Sequence, residues 1–255
     1  MPAGSAQKDS VVKAKITEIF SSVQGEGMCL GQLQTFVRFY GCNLRCGFCD
    51  ESRKKKFKEY SGQEFIKAII KENEAHSGLS LGRNTEPRLQ SGRMCNKVVS
   101  LTGGEPLLYA DFLKEALPAL RKKGFIVYLE TNGTLKNKLL EIIDFLDIIS
   151  MDIKLPSSTG DRAFWKAHYD FLKASREKKV FVKSVITNKT TSSDIKKAVY
   201  IIEKINKAVF FILQPVTCNN RIQKIKHLQE FLGMSSSRLD NVRLIPQVHK
   251  ILGVK

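Results

Sequence analysis

The chain has 255 residues, of which 42% are hydrophobic and 26% charged. These are the proportions of an ordinary globular protein, and they exclude wholesale disorder and collagen-like order. No apolar run approaches the ~18 residues needed to span a bilayer, and the N-terminus MPAGSAQKDS lacks the apolar core of a signal peptide, so a cytoplasmic protein with no membrane partner is expected. Lys plus Arg outnumber Asp plus Glu by 42 to 25. The basic residues are scattered rather than interleaved with aromatics, so they read as a solvated surface and nucleic acid is not required as a partner.

In chain order, residues 1–14 open with small and polar side chains and are expected to form a flexible N-terminus, with one domain from 15 to 255. Strands are predicted at 35–40, 97–101, 125–130, 148–152, 180–187 and 209–214. Helices are predicted between and after them at 62–74, 110–123, 135–145, 162–177, 192–207 and 220–233. The alternation argues for repeated βα units and a mainly parallel α/β sheet. Six units are too few for a closed eight-fold barrel and leave an open doubly wound sheet or a partial barrel. Either arrangement puts ligands at the carboxyl ends of the strands. The segment 77–93, rich in Gly, Ser and Arg, reads as a surface insertion, and an apolar run at 242–245 leads to the C-terminus.

Directly after the first predicted strand come Cys42, Cys46 and Cys49, spaced C-x3-C-x2-C. Such spacing lets one loop wrap a compact metal centre, and thiolates suit iron–sulfur clusters. Three ligands on a four-iron cube leave one iron open to a ligand, whereas structural zinc would need a fourth donor from a His or a distant Cys. The second strand ends in Thr102-Gly103-Gly104-Glu105-Pro106. Its glycines allow close backbone approach to a ligand, and Glu105 is suited to accept a hydrogen bond from an ammonium group. The third strand ends in Glu130-Thr131-Asn132-Gly133-Thr134 and the fourth in Asp152-Ile153-Lys154, polar groups again at carboxyl ends.

The cysteine triad, with the aromatic Phe48 before its last member, and the GGEP turn together resemble the radical S-adenosylmethionine (SAM) superfamily. The resemblance implies a partial (β/α)6 barrel, a [4Fe-4S] cluster held by Cys42, Cys46 and Cys49, and SAM bound at the open iron. Within that superfamily, Val23-Gln24-Gly25-Glu26, Phe36-Val37-Arg38, ETNGT, Gln214-Pro215 and the tail Pro246-Gln247-Val248-His249 are similar to the 7-carboxy-7-deazaguanine synthase family. That likeness implies an enzyme, usually dimeric, that rearranges 6-carboxy-5,6,7,8-tetrahydropterin to 7-carboxy-7-deazaguanine with loss of ammonia, on the way to queuosine. It uses SAM, the cluster and Mg2+, with an electron donor such as flavodoxin or ferredoxin.

Carried over by position, the resemblance assigns Val23, Gln24, Gly25, Glu26, Arg38, Thr102, His249 and the terminal Lys255 to the substrate. It assigns Thr102, Gly103, Gly104, Glu105, Asp152, Ile153, Lys154, Gln214, Pro215, Val216 and Thr217 to SAM. Two departures stand out. Where the family continues Cys-Asp-Thr, with the threonine ligating Mg2+, this chain has Cys49-Asp50-Glu51, so Asp50 and Glu51 become the candidate oxygen ligands. Where the family has Gly-Arg-Pro, this chain has Gly31-Gln32-Leu33. A related radical SAM enzyme with another substrate, such as a glycyl-radical activating enzyme, is the competing reading. A basic RNA-binding protein with a structural metal is the reading from another class.

Overall fold

A computed structural model describes residues 12–49, 51, 56–77, 97–218 and 220–254. The strands are β1 (Lys13–Val23), β2 (Leu33–Phe39), β3 (Lys58–Ser61), β4 (Val98–Gly103), β5 (Ile126–Thr131), β6 (Ile148–Asp152), β7 (Lys179–Ile186), β8 (Phe211–Pro215), β9 (Thr217–Cys218), β10 (Arg221–Ile222) and β11 (Val242–Leu244). The helices are α1 (Gly62–Ser77), α2 (Ala110–Lys122), α3 (Lys136–Ile142), α4 (Pro156–Thr159), α5 (Trp165–Ser175), α6 (Ser192–Ile205), α7 (Leu228–Ser236) and α8 (Val248–Leu252).

Among the described residues, nine strands form one sheet in the order β11-β8-β7-β6-β5-β4-β2-β1-β3. From β2 to β8 every neighbouring pair is parallel, and spatial order follows chain order without reversal. Right-handed crossovers in an unreversed order place the crossover helices on one face, and α1, α2, α3, α5, α6 and α7 pack successively against one another around it. This rules out a doubly wound sheet and gives the six-unit partial barrel, whose concave face is left for a ligand. β8 is buried along its length and β4 from Val98 to Leu101, while Thr102 and Gly103 at the end of β4 are half-buried.

Local sequence explains the element ends. Ser61 and Glu64 form a capping box at the start of α1: the Ser61 N–H donates to Glu64 Oε2 at 2.9 Å, and the Glu64 N–H donates to Ser61 Oγ at 3.4 Å. Helix α6 starts at Thr191, whose hydroxyl oxygen accepts from the Asp194 N–H, and it buries Ile195, Ala198, Val199, Ile201 and Ile202 at helical spacing.

Several elements differ from the sequence expectation. β1 adds an antiparallel strand beside β2, and β3 another beside β1; charged and polar residues on the half-buried face of β1 hide its alternation. The helix predicted at 162–177 is shorter, and α4 precedes it, closed by Gly160 at φ +73°. The helix predicted from 220 starts at Leu228, because Asn220 takes a left-handed φ of 57° and turns β9 into β10. β11 extends the parallel sheet beyond β8. The predicted N-terminal extension lies outside the described residues as far as 11, and β1 begins at Lys13. The predicted insertion lies outside them from 78 on. Among the described residues, no helix is long and apolar enough to cross a membrane.

Candidate active site

The carboxyl ends of the parallel strands open into a cavity of about 680 Å³, within the range of small-molecule sites. Its wall includes the three cysteines, the turn after β1 and residues from the ends of β2, β4, β5, β6, β7 and β8.

Cys42, Cys46 and Cys49 lie on the loop after β2, are free of disulfides, and all line the cavity. The loop is fixed at both ends by backbone contacts. The Gly47 N–H donates to the Thr159 carbonyl at 2.7 Å, and the Glu105 N–H donates to the Gly41 carbonyl at 2.8 Å. A Cβ at Gly104 would lie 1.8 Å from the Gly41 carbonyl oxygen, so only glycine lets the GGEP turn press this closely on the cysteine loop. Asn132 Nδ2 reaches Cys42 Sγ at 3.8 Å, and the Leu44 N–H reaches the same sulfur at 3.4 Å. Such donors to sulfur tune an iron–sulfur cluster. Burial pushes the Cys46 thiol up to about 11, and iron binding would displace its proton.

Among the described residues, no three His, Cys, Asp or Glu side chains converge on a single ion. The set of three soft donors on one cavity-lining loop fits a [4Fe-4S] cluster. Fit to SAM rests on two orphaned acceptors. Asp152 Oδ1 and Gln214 Oε1 are buried without a hydrogen-bond partner in the described structure, and both residues line the cavity. Buried acceptors of this kind call for a ligand bearing N–H or O–H donors.

Opposite the cysteines, Val23, Gln24, Gly25 and Glu26 form the turn after β1 and line the same cavity. Gln24 donates from Nε2 to Glu130 Oε1 at 2.9 Å and accepts at Oε1 from the Glu26 N–H at 3.0 Å. Thr102 Oγ1 donates to Glu130 Oε2 at 2.9 Å. Glu130 thereby ties the turn to the GGEP strand.

Glu26 pairs with Lys183 of β7 and accepts from Gln247 Nε2 at 2.8 Å. Burial alone would raise the Glu26 pKa, but the Lys183 charge and hydrogen bond hold it down at about 2. His249, on α8, packs on Gly25, where a Cβ would lie 2.2 Å from its Nδ1. Arg38 projects from β2 between Glu18 and Glu51, with Glu18 Oε2 3.7 Å from Nε and Glu51 paired at Nη1.

The expected SAM residues divide. Thr102, Gly103, Gly104, Asp152, Lys154, Gln214 and Val216 line the cavity. Ile153 is fully buried in the core, and Pro215 and Thr217 are buried outside the lining. Glu105 is also fully buried and off the lining. Its carboxylate accepts from Leu107 N at 3.1 Å, Thr131 Oγ1 at 2.9 Å and Asn132 N at 2.8 Å, so it pins two strand ends together. Asp50 and Lys255 lie outside the described residues.

Sequence reasoning did not single out Glu130, Lys183 and Gln247 as site residues. Lys183 carried a visible signal, a lysine inside the apolar run Val180–Ile186 that becomes a buried strand.

A six-unit partial barrel with a three-cysteine loop at the carboxyl edge defines the radical SAM class, and the sequence profile of the radical SAM superfamily matches residues 88–198. The crystal structure of QueE from Escherichia coli superposes with a TM-score of 0.60 at 20% identity, over 93% of this chain and 95% of that one. A structure of TYW1 with a lysine-pyruvate adduct bound gives 0.55 at 19% identity, over 81% and 74%. At such identities the likeness shows the fold.

Sequence relatives are more informative. The chain is 37% identical to the 7-carboxy-7-deazaguanine synthase of Geobacter sulfurreducens, over 94% of this chain and 97% of the relative. It is 32% identical to that of Archaeoglobus fulgidus, over 96% and 100%. The chain belongs to the 7-carboxy-7-deazaguanine synthase family of radical SAM lyases.

Proposed function

We propose that the chain rearranges 6-carboxy-5,6,7,8-tetrahydropterin to 7-carboxy-7-deazaguanine with loss of ammonia, in the route to queuosine. The observation that carries this reading is the meeting, in one cavity, of the cysteine loop with the Gln24–Glu26 turn, Arg38 and His249. When bound and reduced, the cluster and SAM supply a 5′-deoxyadenosyl radical for hydrogen abstraction.

The protein's own residues bind and orient. Glu26, kept ionised beside Lys183, offers an acceptor to the adjacent N–H groups of a pterin edge, and an ionised acceptor makes the stronger bond. Gln24, fixed by Glu130, supplies a second oriented amide. Arg38 matches the substrate carboxylate, for which a planar guanidinium is suited. Asp152 Oδ1 and Gln214 Oε1 accept from donors on SAM. Mg2+ is a hard ion that takes oxygen ligands, and Glu51 is its ligand from the cysteine loop, with Asp50 beside it in sequence. The protein works as a homodimer in the reducing cytoplasm and draws its electron from a flavodoxin or ferredoxin.

The test is an anaerobic assay of reconstituted protein with SAM, reductant, Mg2+ and the carboxytetrahydropterin, read by mass spectrometry. The deazaguanine mass together with 5′-deoxyadenosine is expected, and neither from Cys46→Ala. Cleavage of SAM with the pterin returned unchanged would sink the substrate assignment.

A further inference from the structure

Asn132, in the turn after β5, reaches across to the cysteine loop. Its Nδ2 lies 3.8 Å from Cys42 Sγ and donates to Asn43 Oδ1 at 2.8 Å. Its Oδ1 accepts from the Thr134 N–H at 3.1 Å and from the Thr134 hydroxyl at 2.6 Å, and its own N–H donates to Glu105 Oε2 at 2.8 Å. The remaining polar atom, the Asn132 carbonyl oxygen, meets Nε2 of His168 at 3.1 Å. His168 lies in the first turn of α5, is fully buried, and stands off the cavity lining.

Burial holds the His168 pKa at about 4, so near neutrality the ring carries a single N–H. Nδ1 is buried without a hydrogen-bond partner in the described structure, and a proton there would be stranded. On Nε2 the proton meets the Asn132 carbonyl, so it belongs on Nε2. The Lys154 N–H, 3.4 Å from the same nitrogen, has the weaker claim, because it would leave the Asn132 oxygen facing a lone pair. The imidazole also packs on the turn itself. A Cβ at Gly133, whose φ is +67°, would lie 3.4 Å from His168 Cδ2 and 2.7 Å from Met151 Cε. Ring and N–H together therefore brace the Asn132–Gly133 peptide and oppose the rotation that would swing Nδ2 off the sulfur.

We infer that His168 is a positioning residue for the iron–sulfur centre: by bracing the Asn132 carbonyl it keeps the Asn132 amide aimed at Cys42, and so makes the cluster easier to reduce. Reduction adds one negative charge, part of which resides on the ligand sulfurs. An N–H donor directed at such a sulfur stabilises the reduced form. The electron comes from the external donor, and His168 neither gives nor takes a proton in the step. The inference rests on the reading of Cys42 as a cluster ligand. It gives a function to a buried imidazole that does not itself reach the cavity.

The test is an anaerobic redox titration of cluster-loaded protein without SAM, using a dye-mediated reductant and counting the reduced cluster by electron paramagnetic resonance. His168→Phe keeps a ring and removes the donor. At a fixed potential it is expected to lower the reduced-to-oxidised ratio roughly threefold, or about 28 mV in midpoint at about 59 mV per tenfold. Asn132→Ala should lower the ratio at least as far, and the double variant no further than Asn132→Ala alone. His168→Gln keeps an N–H donor and should recover most of the ratio. Iron content matching wild type in each protein separates these shifts from a loss of cluster. A wild-type ratio in Asn132→Ala would overturn the inference without any His168 variant having to fold. So would a wild-type ratio in iron-replete His168→Phe, or a double variant whose shift is the sum of the two single shifts, since His168 would then act by another route. A Cys42→Ala protein that keeps full iron and the wild-type ratio would overturn the ligand reading and the inference together.

Discussion

Lys183 and Glu26, 157 residues apart in sequence, form a buried ion pair that joins β7 to the turn after β1. Their side chains are 10% and 12% exposed. Burial disfavours the charge on each, but the charges of Glu26, Glu130 and Asp152 keep Lys183 above the ordinary lysine range.

Removing one member of such a pair leaves the other charge buried alone. Lys183→Met is expected to cost about 3–5 kcal/mol at neutral pH, and Lys183→Met/Glu26→Gln should recover part of it. The Glu26 carboxyl sits at about 2 against an ordinary value of 4.5. Its contribution is therefore present above the ordinary value and lost as pH falls toward 2. Urea unfolding of the single and double variants checks this, and a Lys183→Met protein as stable as wild type would remove the pair from any supporting role.

Gly25 is required for its smallness. A Cβ there would lie 2.2 Å from His249 Nδ1 and 2.5 Å from its Cβ, so α8 must shift off the turn in Gly25→Ala. A displacement of about 1 Å in a positioning group can lower turnover on the order of a hundredfold. Loss of pterin turnover with SAM affinity preserved is the expected pattern, read by parallel turnover and SAM-binding assays. Equal loss of both would mean a wider collapse of the strand ends.

Glu105→Ala removes acceptors from two backbone N–H groups and the Thr131 hydroxyl. Buried donors left unpaired cost about 1–3 kcal/mol each, so the thermal midpoint should drop by several degrees. SAM affinity should fall with it, because the β4 and β5 ends are no longer tied. A variant that loses SAM with an unchanged midpoint would instead put the carboxylate in direct contact with SAM.

His168 is fully buried on α5, with Nε2 3.1 Å from the Asn132 carbonyl oxygen. Burial lowers its pKa from 6.5 to about 4. The unfolded chain therefore takes up a proton below pH 6.5 that the folded protein takes up only near pH 4. Stability is lost across that window, by up to about 3 kcal/mol. In His168→Gln this part of the acid slope should disappear. Comparing the difference in thermal midpoint between the two proteins at pH 7.5 and pH 5 isolates the effect, and parallel pH dependence would exclude it.

Local spacing was enough to read the cysteine loop, the GGEP turn and most of the βα rhythm. Residues within a few positions of one another are constrained by the chain itself, and a buried parallel strand advertises itself as an apolar run. β1 was harder to see because only one of its faces is covered.

What only the tertiary structure decided is the partner of each charged group at the strand ends. The register that sets Asp152 beside Lys183 and Arg38 beside Thr102 is chosen by burial of apolar neighbours along whole strands. Nothing near Glu51 in sequence points to Arg38, nothing near Glu26 points to Lys183, and Glu105 turns inward because three donors from later elements converge on it. Electrostatic partnership at these sites depends on distances of a few ångströms between segments separated in the chain, and those distances exist only once the strands have paired into the sheet.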